Sequence, residues 1–203
     1  DSSMAAERIV SLCAQELPRE GFDVLNEVQV LSPMHRQDCG VENLNRQLQA
    51  ALNPKSPYKA EFVNSTQIFR LGDKVMQTRN NYTKNVFNGD IGFIESLEEG
   101  SLTVRYSEEL AADYERSELG ELQLAYAMSV HKSQGSEYPV IILPLVPGHR
   151  IMLQRNLLYT AVTRAKQRVI LLGTKAALNT AVDNDRTKKR YTLLAERLCH
   201  KME

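Results

Sequence analysis

The stretch Ala125-Tyr126-Ala127-Met128-Ser129-Val130-His131-Lys132-Ser133-Gln134-Gly135-Ser136-Glu137-Tyr138-Pro139-Val140-Ile141-Ile142-Leu143 decides how this chain folds. Its last four residues are apolar without alternation, the pattern of a strand buried on both faces. The segment before them, Ser129 to Tyr138, is too rich in hydroxyls, amides and cations to be packing alone. Working outward, Val169-Ile170-Leu171-Leu172 repeats the apolar run and stops at Gly173. Val28-Gln29-Val30-Leu31 is a third such run, ending at Ser32-Pro33 where a strand should emerge into a loop. Helical spacing separates these runs. Met4, Ile9, Leu12, Cys13 and Leu17 mark a helix over 4–17, closed by Pro18 and Gly21. Leu44, Leu48 and Leu52 mark one over 41–52, and another spans 154–166. Weaker helices are read around 175–182 and 191–199. Apolar strands alternating with helices predict an α/β fold, a parallel sheet with helices on both faces.

Between Ile68 and Gln123 the rhythm changes. Lys74–Gln77, Ile91–Ile94, Leu102–Tyr106 and Ala112–Glu115 are short strand-like stretches. Turn signals at Gly72-Asp73, Asn80-Asn81, Asn88-Gly89-Asp90 and Glu99-Gly100 separate them. This spacing predicts a small antiparallel barrel or curled sheet. The break Asn53-Pro54-Lys55-Ser56-Pro57 lies just ahead of it. The expected organisation is therefore a discontinuous α/β domain, 1–66 and 124–203, interrupted by an all-β module over 67–123.

Charge follows the same division. The 25 basic and 25 acidic residues cancel over 203 residues, which by itself argues against a nucleic-acid protein. Yet residues 90–121 carry ten carboxylates against Arg105 and Arg116, while residues 150–201 carry twelve Lys/Arg against three acidic residues. The basic part could face an anion such as phosphate, or simply form solvated helix faces. Cys13, Cys39 and Cys199 are too far apart for a disulfide scaffold or a paired-thiolate zinc site and suit a reducing cytosol. His35, His131, His149 and His200 have no metal-ligand spacing, so no metal site is expected from this chain. No apolar run reaches the roughly 18–20 residues of a membrane helix, and the opening residues lack the features of a signal peptide. A cytoplasmic location is expected.

Three segments could carry chemistry: Ser32-Pro33-Met34-His35-Arg36 after a buried strand, Ser129 to Tyr138, and Tyr159-Thr160-Ala161-Val162-Thr163-Arg164-Ala165-Lys166 at the end of a helix. Each offers cations or hydroxyls suited to phosphate oxygens, and arginine adds a fixed fork of donors. Ligands gather at strand and helix ends in sheets of this kind. Read as AYAMSVHKSQGSEYP (125–139) and LLYTAVTRAK (157–166), two of these resemble motifs V and VI of RecD-like superfamily 1B DNA helicases. VQVLSPMHR with GVENLN resembles the motif IV region. FRLGDKVMQTRNNY with NVFNGDIG resembles the start of the SH3-type barrel that these helicases insert before motif V. The resemblance covers residues 4 to 198. It implies a RecA-like second motor domain interrupted by an SH3-type β-barrel.

The resemblance further implies roles by position. Arg164 would be the motif VI arginine that reaches the γ-phosphate of ATP, an arginine finger, and Arg36 a second phosphate-sensing arginine. Gly135, Glu137 and Gln134 would flank the nucleotide, Glu137 on the ribose hydroxyls. Ser129, His131, Lys132 and Ser133 would meet the backbone of single-stranded DNA. Thr163 and Tyr159 read as helix supports. Among the module's aromatics, Phe69, Phe93 and Tyr106 fit a core, whereas Tyr82 and Phe87, in a polar hairpin, are candidates to stack on bases. No glycine is followed by lysine, so the phosphate-cradling G-x-x-x-x-G-K-[ST] loop is absent. The chain thus reads as a fragment needing a first motor domain, which would hold Mg²⁺. On its own it is expected to bind no nucleotide tightly and to hydrolyse none. The parent would be an ATP-dependent motor moving 5′ to 3′ on single-stranded DNA, in repair or recombination, alone or within a nuclease complex. The alternative is a non-catalytic module docking DNA or a protein partner through its barrel.

Overall fold

The computed structural model describes residues 2–63, 67–149 and 152–185. Helix α1 (Ser2–Ser11) runs into a π-helical turn (Leu12–Glu16) and a short α2 (Leu17–Arg19), so the expected helix over 4–17 is not one regular α-helix. Pro18 has no N–H to donate and its ring crowds the carbonyl one turn back; the wider π turn ahead of it accommodates both. Asp23 caps α3 (Val24–Glu27), its carboxylate accepting from the Leu25 and Asn26 amides at 3.0 and 3.3 Å. Then follow β1 (Val28–Ser32), α4 (Val41–Leu52), and the hairpin strands β2 (Glu61–Val63) and β3 (Ile68–Arg70). Next come β4 (Lys74–Gln77), β5 (Ile91–Glu98), β6 (Ser101–Arg105), β7 (Ala111–Glu115) and β8 (Leu122–Leu124). The chain continues with β9 (Ala127–Ser129), β10 (Tyr138–Leu145), α5 (Arg155–Val162), β11 (Ala165–Gly173) and α6 (Lys175–Asp183).

Apart from the two-stranded β2–β3 hairpin, the strands sort into a parallel and an antiparallel sheet, as the sequence predicts. β11-β10-β1-β9 form a wholly parallel sheet and β7-β6-β5-β4-β8 a wholly antiparallel one. β1 is buried at every position, as its unalternating run requires. Val28, Val30, Val140 and Ile142 point to one face, against Ile9, Cys13, Leu44 and Leu48 of the α1–α4 layer. Leu31, Ile141 and Leu143 point to the other, against Leu157, Ala161, Ala177 and Ala181 of α5 and α6. Helices thus cover both faces. In the antiparallel sheet, β6 and β7 alternate strictly, burying Leu102, Val104, Ala112 and Tyr114. Phe69 is fully buried and belongs to the core; Tyr106, just past β6, is half-buried against it with its hydroxyl 2.7 Å from that of Tyr114, and Phe93, expected in the core, is only half-buried.

A buried carboxylate ties the end of α4 to the antiparallel sheet. Asp73, at the start of β4, accepts from Gln49 Nε2 (2.6 Å) and Asn53 Nδ2 (2.7 Å) of the α4 end, from the Arg70 amide (2.7 Å) and from the Tyr126 hydroxyl (2.8 Å). Burial still holds its carboxyl above the ordinary range, although every donor pulls the other way. In sequence Gly72-Asp73 signals only a turn.

The region after α5 differs from the expectation. The helix read over 154–166 ends at Val162. The Thr163 hydroxyl bonds back to the Tyr159 and Thr160 carbonyls at 2.9 and 3.1 Å, and Ala165 already pairs with Tyr138 in the parallel ladder. Arg164 therefore sits between helix and strand, and β11 is longer than the run 169–172. The helix expected over 191–199 lies outside the described residues.

Candidate nucleotide and nucleic-acid site

Strand register fixes where the candidate residues lie. Val30 pairs with Ile142, so the end of β1 at Ser32 is level with Pro144; Tyr138, at the start of β10, pairs with Ala165. From Tyr138 to Pro144, at roughly 3.3 Å per residue, is about 20 Å. Arg164 precedes Ala165 at the amino end of the sheet. Arg36 follows Ser32 at the carboxyl end. The two arginines expected to converge on one triphosphate are thus not brought together by this fold.

The segment 130–137 connects these ends. It leaves β9 at Ser129, which pairs with Ser32, and enters β10 at Tyr138. Its first turn is self-contained: the amides of Lys132 and Ser133 donate to the Ser129 carbonyl at 3.0 and 3.3 Å, and the Ser133 hydroxyl donates to the Val130 carbonyl at 2.8 Å. Ser129 and Ser133 are buried and hold this turn, so of the four expected strand contacts only His131 is exposed, with Lys132 half-buried. Burial draws the Lys132 ammonium below its ordinary pKa. Gly135 has φ +89, a left-handed conformation costly for any residue with a side chain, and a Cβ there would meet nothing within 4 Å. Backbone conformation, not crowding, requires this glycine.

The far end of the segment is tied to Arg164 twice. The Tyr138 amide donates to the Arg164 carbonyl at 2.8 Å, and Arg164 Nη1 donates to the Ser136 carbonyl at 3.3 Å. The other guanidinium contacts, to the Thr160 carbonyl (3.3 Å) and the Thr163 hydroxyl (3.4 Å), are also long and neutral. Among the described residues no carboxylate pairs with Arg164. Glu137 is exposed and meets Lys166 at 3.4 Å, a surface pair of little strength. A guanidinium on weak neutral acceptors, with the open Glu137 carboxylate next to Ser136 in the chain, fits a phosphate and a sugar edge, and Gln134 is exposed earlier in the same turn. Among the described residues no group of three or more His, Cys, Asp or Glu could hold a metal ion.

Arg36 is exposed in the loop 33–40, where Gly40 packs so tightly that an added Cβ would lie 2.2 Å from the Arg36 carbonyl oxygen. Gln37 takes a left-handed φ of 78° in the same loop. On the hairpin between β4 and β5, Tyr82 is 78% and Phe87 41% exposed, their rings edge to face with centroids 6.0 Å apart. Lys84 turns away from them, donating to Glu118 at 2.6 Å and lying 4.4 Å from the Tyr114 ring centroid. Tyr159 is exposed rather than packed as a support. Sequence reasoning missed a groove of about 140 Å³ between the 130–137 turn and α5, to which Gln154, Asn156 and Thr160 contribute. Asn156 and Thr160, one helical turn apart, were the available signal; their facing His131 depends on the sheet.

Residues 44–106 match the family model described as the ATP-dependent RecD-like DNA helicase SH3 domain, and residues 124–172 that of the UvrD-like helicase C-terminal domain. The chain belongs to the RecD-like DNA helicase family. The RecD2 helicase of Deinococcus radiodurans, named as ATP-dependent, is 38% identical over 191 residues, or 94% of this RecD-like chain and 25% of that protein. The RecBCD enzyme subunit RecD of Mycolicibacterium smegmatis is 31% identical over 182 residues, or 89% of this chain and 31% of that protein. The RecD-like chain thus spans a quarter to a third of these relatives. A crystal structure of Pif1 helicase from Bacteroides, in complex with ADP-AlF3 and ssDNA, superposes with a TM-score of 0.56 at 20% identity. That alignment covers 97% of this chain and 50% of the Pif1 chain, a likeness of fold. Among the described residues no helix is long and apolar enough to cross a membrane.

Proposed function

We propose that this chain is the second motor domain, with its SH3-type insertion, of an ATP-dependent DNA helicase, divided as 1–66 plus 124–203 and 67–123. The observation that carries the reading is the Arg164 guanidinium, held by neutral acceptors against the exit of the 130–137 turn at the amino end of the parallel sheet. ATP bound against a first motor domain supplies the phosphates that draw Arg164 off the Ser136 carbonyl. The guanidinium then stabilises charge on the leaving phosphoryl group. Glu137 holds the nucleotide's sugar edge, and the Gly135 backbone lets the turn approach it. Releasing Ser136 loosens the exit of a segment whose start carries His131 and Lys132 at the opposite end of the sheet. Nucleotide state is thereby relayed to the grip on single-stranded DNA, across a span of about 20 Å. Arg36, at that same carboxyl end, is better placed for the strand than for the γ-phosphate.

The 5′-to-3′ direction and a role in repair or recombination, alone or in a complex, belong to this reading, as does a cytoplasmic location. So does the absence of ATPase activity from the isolated chain, which lacks a phosphate-cradling loop. In the complete motor, Arg164→Ala should abolish ATP hydrolysis while sparing single-stranded DNA binding; wild-type turnover in that variant would refute the finger assignment. The exposed Tyr82–Phe87 pair favours a second reading, a DNA- or protein-docking module. A steep fall of oligonucleotide affinity with salt supports strand contact; absence of affinity at any salt, with a protein bound instead, supports docking.

A further inference from the structure

We propose that the groove between the 130–137 turn and α5 accepts one unstacked nucleobase of the bound single strand and reads its edge. This rests on the reading that this region grips single-stranded DNA. At about 140 Å³ the groove is close to the engineered 150 Å³ cavity known to bind benzene, so it holds one ring and little more. Its apolar surface is Val130, Met152 and Leu157, which suits the face of a base. Its polar groups are those of His131, Gln134, Gln154 and Asn156. The Gln134 and Gln154 carboxamides make no hydrogen bonds among the described residues, and Asn156 spends only its oxygen, on the Leu157 amide at 2.8 Å. Carboxamides present a donor beside an acceptor, the complement of a base edge, whereas phosphate calls for cations. Among the described residues no lysine or arginine lines the groove. His131 ties it to the strand-binding end of the turn, so a base entering there belongs to a strand already held by its backbone.

The test uses the complete motor protein and a labelled single-stranded oligonucleotide in which one abasic site is stepped along the sequence, read by fluorescence anisotropy. The expected result is one position at which losing the base weakens binding about tenfold. Gln154→Ala and, separately, Thr160→Met, which fills the groove from α5, should each weaken binding of the intact strand similarly and erase that positional penalty. Thermal melting identifies either variant that fails to fold, and the scan on the wild type stands alone in that case. Salt-sensitive binding indifferent to every abasic position overturns the groove while leaving strand binding intact. A penalty that survives both folded variants belongs to another contact and overturns it too. No binding at any salt removes the strand-binding reading and the groove with it.

Discussion

Replacing Lys74 by methionine should make this protein more stable, and the gain should disappear in alkali. Lys74 opens β4, 3% exposed, beside a small cavity lined by Cys13, Val28, Val30, Leu48 and Tyr126. Its ammonium makes no hydrogen bond among the described residues and lies 5.8 Å from the centroid of the Tyr138 ring. Burial pulls its pKa from 10.5 down to about 8, against weak opposition from Asp23 and Cys13. A fall of that size corresponds to roughly 3 kcal/mol of penalty on the charged amine in the folded state. The sign follows from proton counting. Below pH 8 both folded and unfolded chains are protonated and the penalty is complete. Between about 8 and 10.5 the unfolded chain binds the extra proton, so stability rises with pH; above 10.5 the penalty is gone. Methionine fills a similar volume without charge. Urea unfolding followed by circular dichroism should give Lys74→Met an advantage of about 2–3 kcal/mol at pH 7, shrinking towards zero near pH 10.5. Taking the difference between the two proteins cancels the titration of groups that do not interact with Lys74. A variant no more stable at pH 7, or one whose advantage is flat across this range, would refute the claim that desolvation dominates at this amine.

Three further outcomes follow from single contacts. Asp73→Asn places an amide donor against two of the four donors that the carboxylate accepts, and should cost about 2–4 kcal/mol in the same unfolding assay. Because that carboxylate joins α4 to the antiparallel sheet, proteolysis should then cut between the sheets sooner. Gly40→Ala forces a Cβ within 2.2 Å of the Arg36 carbonyl and should lower the melting temperature by several degrees, whereas Gly120→Ala, with open space around it, should not. Tyr82→Ala should leave the melting temperature unchanged, the ring being largely exposed. If that ring stacks on a base, the substitution weakens oligonucleotide binding by roughly 5- to 100-fold in anisotropy titrations; unchanged affinity would assign the hairpin elsewhere.

Local sequence was enough for whatever depends on period and residue type. Unalternating runs at 28–31 and 140–143 are strands buried on two faces, with helices above and below, whereas the run at 169–172, read the same way, lies in the end strand β11, where no residue is fully buried and Leu171 is 37% exposed. Alternation at Leu102, Val104 and at Ala112, Tyr114 likewise demanded a half-buried antiparallel sheet. The chemistry-bearing segments were legible too, since Ser129–Tyr138 and Tyr159–Lys166 carry more polar groups than packing tolerates. What sequence left open was adjacency, because strand order and register are set by which apolar faces meet after the chain has collapsed. Register separates Arg36 from Arg164 by the length of the sheet, although both follow polar motifs of the same kind. The same order lays the 130–137 turn beside α5, bringing His131 and Gln134 to Gln154 and Asn156. Asp73 and Lys74 make the point most sharply. Adjacent in an ordinary turn-and-strand sequence, one is satisfied by four donors from three elements and the other is left among apolar side chains. Only the packing of the antiparallel sheet onto α4 distinguishes them, since burial turns a charge from neutral to costly unless partners arrive with it.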